Sequence, residues 1–429
     1  MRVVFTAQTI YSHLVPTVLP IAALTQRAGH EVVVATGAEL AHHVERAGLR
    51  PLVLPNAISM ADILGDEELA RKSGARLRPG VTTAGTPEMF GHAFITLMGS
   101  RAAADLVEAL SSWRPDVVVR ETTEYGGYLA AEYLGVPHAT LDVIAPLAPY
   151  GHPVVLAELN RQRAAWRLPP VVDPLAPLRG FRASVVPEAF HPDELRLQSG
   201  RHYRPPETET ETLDPAVAEL PADRPLVLAS LGSIAGWMLG NGPSPLDTII
   251  EVLGQMPVTG VVALGAERDP AEWQGARASN VHLMSFVQQS TLLAATDVFI
   301  THCGFNGTRE AFSSGVPMVG LPLFAEQPAN AERIEQLGAG LALRLEDLSI
   351  DSLTSTVERV LTEPVFRARA KGIQRRMLAL PPAEHLVADI EEFVNSSAAR
   401  LSGKQTVLRP ALADPDREAG ELASVRERG

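Results

Sequence analysis

The chain has 429 residues, 46% of them hydrophobic and 20% charged, and a formal net charge of −13. This length exceeds what one hydrophobic core usually serves, and the apolar content excludes a disordered chain, so two folded domains are expected. An acidic chain without a basic stripe is a poor nucleic-acid binder, a single cysteine excludes an internal disulfide, and no apolar run approaches the roughly 20 residues of a membrane span.

Short β-branched runs alternate with helical patterns in the first half, which is typical of βαβ units and a mainly parallel α/β sheet. The first strand is predicted over residues 3–5, and the sequence then turns polar too soon for a signal peptide, so we expect a cytoplasmic protein. A helix is predicted over 16–28 and a strand over 31–35. Further on, a buried strand over 116–119 and a helix lead to Gly-Val-Pro at 135–137, which opens another strand.

The same punctuation recurs in the second half. A strand over 297–300 is followed by a helix through Phe312 and by Gly-Val-Pro at 315–317, which again opens a strand. Two copies of this arrangement predict two Rossmann-like domains rather than one large sheet. The alternative is that Gly-Val-Pro is common punctuation between a helix and a strand.

Composition sets the predicted domain limits. The N-terminal domain covers 1–204, and proline with like charges makes 205–225 an extended, exposed linker. The C-terminal domain covers 226–380. A terminal helix over 381–400 follows, for which a return to the N-terminal domain is one option, and 401–429 has the composition of a disordered tail.

The segment 301–310 carries the clearest functional pattern, because a buried strand ends there and small residues open a helix. Free backbone N–H groups and the positive end of a helix dipole make an anion site. Glycines let a ligand approach the backbone, and side chains add donors. The candidates for holding a phosphate are His302, Gly304, Asn306, Gly307 and Thr308. Glu310 is better suited to sugar hydroxyls, so the segment predicts a nucleotide site; a tight packing turn is the alternative.

A second polar segment, 321–330, follows the next strand, where doubly wound folds place ligands. Within it, Glu326 and Gln327 are candidates for gripping hydroxyls. The alternative is a solvated start of a helix.

Taken in order, segments 286–289, 302–310, 315–317 and 326–330 resemble the donor-binding signature of family 1 glycosyltransferases. The chain is most similar to the bacterial branch that glycosylates macrolide, enediyne and other polyketide natural products, and the resemblance covers roughly residues 1–395. It implies the GT-B fold, with two Rossmann-like domains facing each other across a cleft. It also implies a nucleotide-sugar donor, no metal and no further cofactor.

The resemblance also implies roles for single residues on the donor side. His302 and the turn Gly304 to Thr308 would hold the diphosphate, and Glu310 would bind the ribose. Glu326 and Gln327 would face the donor sugar. The remaining implied contacts are the nucleobase, with Phe286 and Val287, and a second phosphate-contacting turn, at Gly232 and Ser233.

The N-terminal half resembles the family at the residues that would supply the catalytic base. Ser12-His13-Leu14-Val15-Pro16 is similar to Gly-His-x-x-Pro, and the strand ending at Glu121 is similar to the one that carries a carboxylate partner. An acceptor hydroxyl is a weak nucleophile, so a histidine must take its proton, and a carboxylate on the far ring nitrogen orients the imidazole. His13 is thus the predicted general base and Glu121 its orienting partner; a structural histidine is the alternative.

Three positions depart from the family pattern. Ser12 replaces the usual glycine before the histidine, which puts the geometry of the base in question. Gln288 replaces a proline in the base-binding loop, and Glu326 replaces the common aspartate, which put donor preference in question.

The resulting expectation is an inverting, metal-independent glycosyltransferase that moves a sugar from a dTDP-linked donor to a hydroxyl of an apolar, polyketide-type acceptor. Phe90 and Phe94 are candidates for the acceptor wall, although their helical spacing favours a core role. A sugar-nucleotide 2-epimerase of the same fold and a catalytically silent activator of another transferase stay as alternatives. An NAD-dependent oxidoreductase is disfavoured because no Gly-x-Gly-x-x-Gly follows the first strand, and a homodimer is left open.

Overall fold

The computed structural model describes residues 1–75, 77–78, 81–82, 85–144, 150–193, 196, 200–206, 212–232, 244–265, 268–275 and 277–402. The strands within these ranges are β1 Arg2–Thr6, β2 Glu31–Thr36, β3 Arg50–Val53, β4 Leu77–Arg78, β5 Val81–Thr82, β6 Val117–Glu121, β7 His138–Leu141, β8 Phe181–Ser184, β9 Gly200–His202, β10 Leu226–Ser230, β11 Thr259–Ala263, β12 Val281–Met284, β13 Val298–Thr301, β14 Met318–Gly320 and β15 Gly340–Ala342.

The α-helices are α1 Tyr11–His13, α2 Leu19–Arg27, α3 Ala38–Arg46, α4 Met60–Gly65, α5 Glu67–Ser73, α6 Pro87–Phe90, α7 Gly99–Trp113, α8 Tyr125–Leu134, α9 Pro153–Ala165, α10 Pro215–Ala218, α11 Pro245–Gln255, α12 Gln289–Leu292, α13 Phe305–Ser314, α14 Gln327–Gln336, α15 Ile350–Thr362, α16 Pro364–Leu378 and α17 Glu384–Ser402. Two π-helical segments, Leu14–Val18 and Gly91–Met98, continue α1 and α6. Single 3-10 turns lie at Ala176–Leu178, Glu188–Phe190, Pro270–Glu272, Leu293–Ala295 and Leu345–Asp347.

Two parallel sheets organise the described residues. The first has the strand order β3-β2-β1-β6-β7-β8-β9, and the second has the order β12-β11-β10-β13-β14-β15. All of their pairings are parallel. In each sheet the order reverses beside the first strand of that half, and the crevice at such a reversal is where doubly wound folds bind ligands. The predicted fold class, two Rossmann-like domains of GT-B type, is confirmed.

The repeated strand–helix–Gly-Val-Pro–strand pattern has a common backbone cause. Helix α8 ends at Gly135 with φ of 69°, and helix α13 ends at Gly315 with φ of 68°. This left-handed conformation is inexpensive only for glycine, and it closes each helix before the next strand, β7 or β14.

The first helical region differs from its prediction. Instead of starting at Pro16, it starts at Tyr11 and passes through the π-helical segment Leu14–Val18 before α2. Proline has no N–H to give, and its ring crowds the carbonyl one turn back, so a local widening of the helix accommodates Pro16. As a result, His13 lies on the helix and not in a loop before it.

The connector also differs from its prediction. It was expected to be extended and exposed throughout, but α10 forms one helical turn that is capped by Asp214, whose side chain accepts from the N–H of Ala216. Val217 of this turn is buried in the core of the second sheet. Leu213 and Leu220 on either side of it pack against the same core, so three apolar residues dock this segment. Residues 207–211 lie outside the described residues.

The last helix, α17, packs against α2 and β8 of the first sheet. Its apolar face, including Leu386, Val387 and Ile390, is part of the core around β1. The chain leaves the first sheet near Arg204 and returns to it near Pro381. The N–H of Arg204 donates to the carbonyl of Pro381 over 2.8 Å, so these two connecting segments are in contact. Of the predicted disordered tail, 401–429, residues 401 and 402 end α17, and the rest lies outside the described residues. Within the described residues, no helix is long and apolar enough to cross a membrane.

Candidate active site

The first sheet brings two predicted site residues together. His13 follows β1, and Glu121 is the last residue of β6. These strands are neighbours in parallel register, with Thr6 opposite Arg120, so their carboxyl ends meet at one edge of the sheet. Residues that are 108 positions apart in sequence are therefore adjacent in the fold.

The His13 imidazole and the Glu121 carboxylate form a direct pair. The Nδ1 of His13 lies 3.2 Å from Oε1 of Glu121. Glu121 is fully buried, and it also accepts from the Thr123 hydroxyl at 2.7 Å, the Thr123 N–H at 2.6 Å and the Gln8 N–H at 3.4 Å. With Nδ1–H donating to this fixed carboxylate, Nε2 of His13 is left as the acceptor, which is the arrangement that a general base needs.

The electrostatics favour charge on both members of this pair. Burial lowers the pKa of His13, but the charge and hydrogen bond of Glu121 and the charge of Glu326 outweigh it, so the pKa is raised above its ordinary value. Burial raises the pKa of Glu121, yet His13 and two bonds from Thr123 lower it further, and the net shift is downward. Glu326 follows β14 of the second sheet and lies close enough to His13 to affect its pKa. The second sheet therefore faces His13 across the cleft.

The turn after β13 is built around the His302 ring. A methyl group added at Gly304 would lie 2.4 Å from Nε2 of His302, and one added at Gly232 would lie 2.7 Å from the same atom. Glycine at both positions thus leaves the space that the imidazole occupies. The sequence alone did not indicate this role of the two glycines. Ser233, predicted beside Gly232, lies outside the described residues.

Unpartnered polar atoms lie in the same turn. The Nδ1 of His302 and Oγ1 of Thr308 are buried without a hydrogen-bond partner among the described residues. Burial lowers the pKa of His302 to about 4 despite a hydrogen bond to the backbone of Ser230, so the ring is neutral near pH 7 and carries one N–H. Between them, Cys303 has a φ of 62°, a strained conformation for a side chain other than glycine. Helix α13 begins at Phe305, and its N-cap residue, Gly304, has no side chain to accept from the first N–H groups. The backbone of Phe305 hydrogen-bonds to the Glu326 carboxyl instead.

Behind this turn, Glu310 is held in place by two neighbours. Its Oε2 accepts from Nε2 of Gln289 over 2.8 Å, and its Oε1 lies 3.6 Å from Nη2 of Arg309. Nearby in sequence, Phe286 is 59% exposed, whereas Val287 is buried in the core of the second sheet. Of the two residues predicted to line a base, only Phe286 presents its side chain to solvent.

The predicted sugar-facing pair is divided in the structure. Burial raises the pKa of the Glu326 carboxyl, which lies near His13. Gln327 is buried, and its Oε1 accepts from the N–H groups of Leu323 and Phe324, at 2.9 and 3.1 Å. Gln327 therefore shapes the loop that precedes Glu326, and its carbonyl oxygen is already engaged.

The structure places the aromatic candidates for the acceptor wall mainly in the core. Phe90 is 5% exposed and packs against Tyr125 and Tyr150, with ring centroids 6.0 and 4.9 Å away. Phe94 is half-buried beside it. The core interpretation of their spacing fits Phe90, and Phe94 borders two apolar clusters.

Sequence reasoning missed several residues that support the site. Thr123, Gln8 and Gln289 fix the two glutamates, and Thr17 and Arg309 join the two domains. Gln289 and Arg309 lie in segments that the sequence singled out, but without these roles, and Gln8, Thr17 and Thr123 belong to no such motif. Within the described residues, no group of three or more His, Cys, Asp and Glu side chains could hold a metal ion.

Two family models match the chain. Residues 217–375 match the family described as UDP-glucoronosyl and UDP-glucosyl transferase. Residues 23–194 match the N-terminal domain described as erythromycin biosynthesis protein CIII-like.

Relatives and solved structures span nearly the whole chain. NDP-glycosyltransferase YjiC of Bacillus subtilis is 26% identical, over 90% of this chain and 96% of that protein. Aklavinone 7-beta-L-rhodosaminyltransferase of Streptomyces galilaeus is also 26% identical, over 93% of this chain and 97% of that protein. The crystal structure of glycosyltransferase VinC in complex with dTDP superposes with a TM-score of 0.72 at 23% identity, covering 92% of this chain and 100% of that chain.

Proposed function

Because the chain belongs to the family 1 glycosyltransferases of GT-B fold, we propose that it moves a deoxysugar from a dTDP-sugar to a hydroxyl of a polyketide-type natural product, with inversion and without a metal. The observation that carries this proposal is the His13–Glu121 pair, with its carboxylate buried, facing the second sheet, whose turn at His302 holds unpartnered polar atoms. Relatives named for transfer to aklavinone, 3-alpha-mycarosylerythronolide B and tylactone support the acceptor class. The dTDP complex of VinC supports the donor.

In the proposed reaction, Nε2 of His13 takes the proton of the acceptor hydroxyl as its oxygen attacks the anomeric carbon. The bond from that carbon to the diphosphate breaks on the opposite face, so the configuration inverts. Glu121 stabilises the imidazolium that forms. The N-terminal end of α13, with His302 and Thr308, would hold the leaving diphosphate as its charge increases.

The remaining donor contacts follow from the same placement. Glu310, fixed by Gln289, would accept from ribose hydroxyls, and Phe286 would offer its exposed ring to the base. Glu326 would face the sugar beside His13. Docking the two domains over the donor would exclude water and limit hydrolysis of the sugar nucleotide.

Calorimetric titration with dTDP, UDP and NAD, in EDTA, tests the donor site. We expect a dTDP dissociation constant on the order of micromolar, weaker binding of UDP and no binding of NAD. Absence of binding by either nucleoside diphosphate would contradict the proposed function. Binding of dTDP would justify a screen of polyketide aglycones as acceptors.

Replacing Glu121 by glutamine is expected to move the acid limb of the pH profile of kcat/KM to lower pH. The carboxylate raises the pKa of His13 against the effect of burial, so without its charge the pKa falls and the base stays deprotonated in more acidic solution. Turnover at pH 8 should still fall by about 10-fold or more, because a neutral amide stabilises imidazolium less. Glu121→Asp, which keeps the charge, is the matched control. An acid limb that does not move in Glu121→Gln would show that Glu121 does not tune the base.

A further inference from the structure

Four side-chain hydrogen bonds join the start of α13 to the helical segment that carries His13. The Nδ2 of Asn306 donates to the carbonyl of Ser12 over 2.7 Å. The Nη1 of Arg309 donates to the carbonyl of Pro16 and to Oγ1 of Thr17, both over 3.2 Å. The Thr17 hydroxyl in turn lies 3.4 Å from Oδ1 of Asn306. We call Ser12, Pro16, Thr17, Asn306 and Arg309 the domain bridge.

The domain bridge brackets His13 on both sides. Ser12 is the residue directly before it, and Pro16 and Thr17 lie one helical turn after it. The bonded carbonyls belong to the backbone, so the bridge restrains the helical segment itself and not only its side chains. Holding both ends of one turn fixes the direction of the side chain in between.

Burial makes these bonds worth more than surface contacts. Thr17 is 0% exposed and Arg309 is 6% exposed. A buried guanidinium needs partners, and the carbonyl of Pro16, the Thr17 hydroxyl and the Glu310 carboxylate supply them. The π-helical segment contributes as well, since it turns the Pro16 carbonyl to a partner outside its own helix.

We propose that Thr17 and Arg309 are positioning residues, which aim the His13 imidazole at Glu121 through the domain bridge. This inference deepens the proposed function and rests on it for the role of His13. The N-terminal end of α13, which would hold the donor diphosphate, then also sets the orientation of the base. The domain bridge therefore couples the geometry of the donor site to that of His13. The Asn306 side chain, which the sequence suggested as a phosphate ligand, acts across the domains instead.

The test compares the titration of His13 in wild type, Thr17→Val, Arg309→Met and Thr17→Ser by NMR of 13C-labelled histidine, with the His13 signal identified by its loss in His13→Asn. The groups that set this titration are Glu121 and Glu326, one from each domain. In Thr17→Val and Arg309→Met the imidazole is less firmly held against Glu121. We expect its midpoint to shift to lower pH, and Thr17→Ser, which keeps the hydroxyl, to restore the wild-type midpoint.

Calorimetry with dTDP in the same variants separates this inference from the proposed function. Thr17→Val should bind dTDP within about threefold of wild type, since Thr17 belongs to the first domain and is not among the proposed donor contacts. An unshifted titration midpoint of His13 in Thr17→Val would overturn the positioning role of the domain bridge. If far-UV circular dichroism shows that Thr17→Val does not fold, the midpoint in Arg309→Met is judged by the same criterion. If wild type binds no dTDP, the proposed function is contradicted. The titration midpoints of His13 would then still show whether Thr17 and Arg309 position the imidazole.

Discussion

His13→Ala is expected to reduce turnover by about 10²- to 10⁴-fold, the range that a positioned general base contributes. The imidazole lies on the N-terminal side of the cleft, paired with Glu121, and it does not belong to the turn around His302. Its removal should therefore change the dissociation constant of dTDP by no more than a few-fold. Steady-state kinetics with saturating donor, together with calorimetry, measure both quantities.

The matched control is His42→Ala, which makes the same change at an exposed surface of α3. It should leave turnover and dTDP binding as in wild type. Equal losses of turnover and nucleotide affinity in His13→Ala would remove the role of base and assign His13 to the structure of the cleft.

Gly304→Ala is expected to weaken dTDP binding by about 100-fold, equal to the loss of two good hydrogen bonds. The added methyl group would lie 2.4 Å from Nε2 of His302, which no real contact allows, so the ring must leave its seat. The first N–H groups of α13 follow directly and would lose their alignment to an anion. Calorimetry with dTDP and thermal unfolding of the same samples make the measurement.

A control of identical chemistry is Gly372→Ala in α16, where an added methyl group meets nothing within 4 Å. Alanine is the better helix former, so this variant should be as stable as wild type or more stable, with unchanged dTDP affinity. Wild-type dTDP affinity in Gly304→Ala would place the diphosphate away from this turn.

The fold was predictable because its signals are local. Gly135 and Gly315 each end a helix with a left-handed residue before a strand. The signal for this ending lies in three consecutive residues, Gly-Val-Pro. The pairing of His13 with Glu121 was implied by the family resemblance, and the structure places the two side chains 3.2 Å apart. Their catalytic roles stay predictions.

What could not be predicted depends on tertiary contacts. The bond from Arg309 to Thr17 spans 292 positions, and no sequence pattern links the two. Gln327 looked like a ligand for a sugar, but its carbonyl oxygen ties down the backbone of Leu323 and Phe324. The carbonyl of Pro16, in the π-helical segment, accepts from Arg309 of the other domain, a partner that local helix propensities do not contain.

The return of α17 to the first sheet means that the N-terminal half is not one continuous stretch of sequence. Ala383, Leu386, Val387 and Ile390 complete a core whose other buried members come before residue 204, so this body is made of two pieces of chain. In an exchange of acceptor halves between relatives, the unit of exchange is the first two hundred residues together with the last helix. A chimera with a single recombination point, in the connector, would combine the first sheet of one protein with the last helix of the other. The core that they share would then be mismatched.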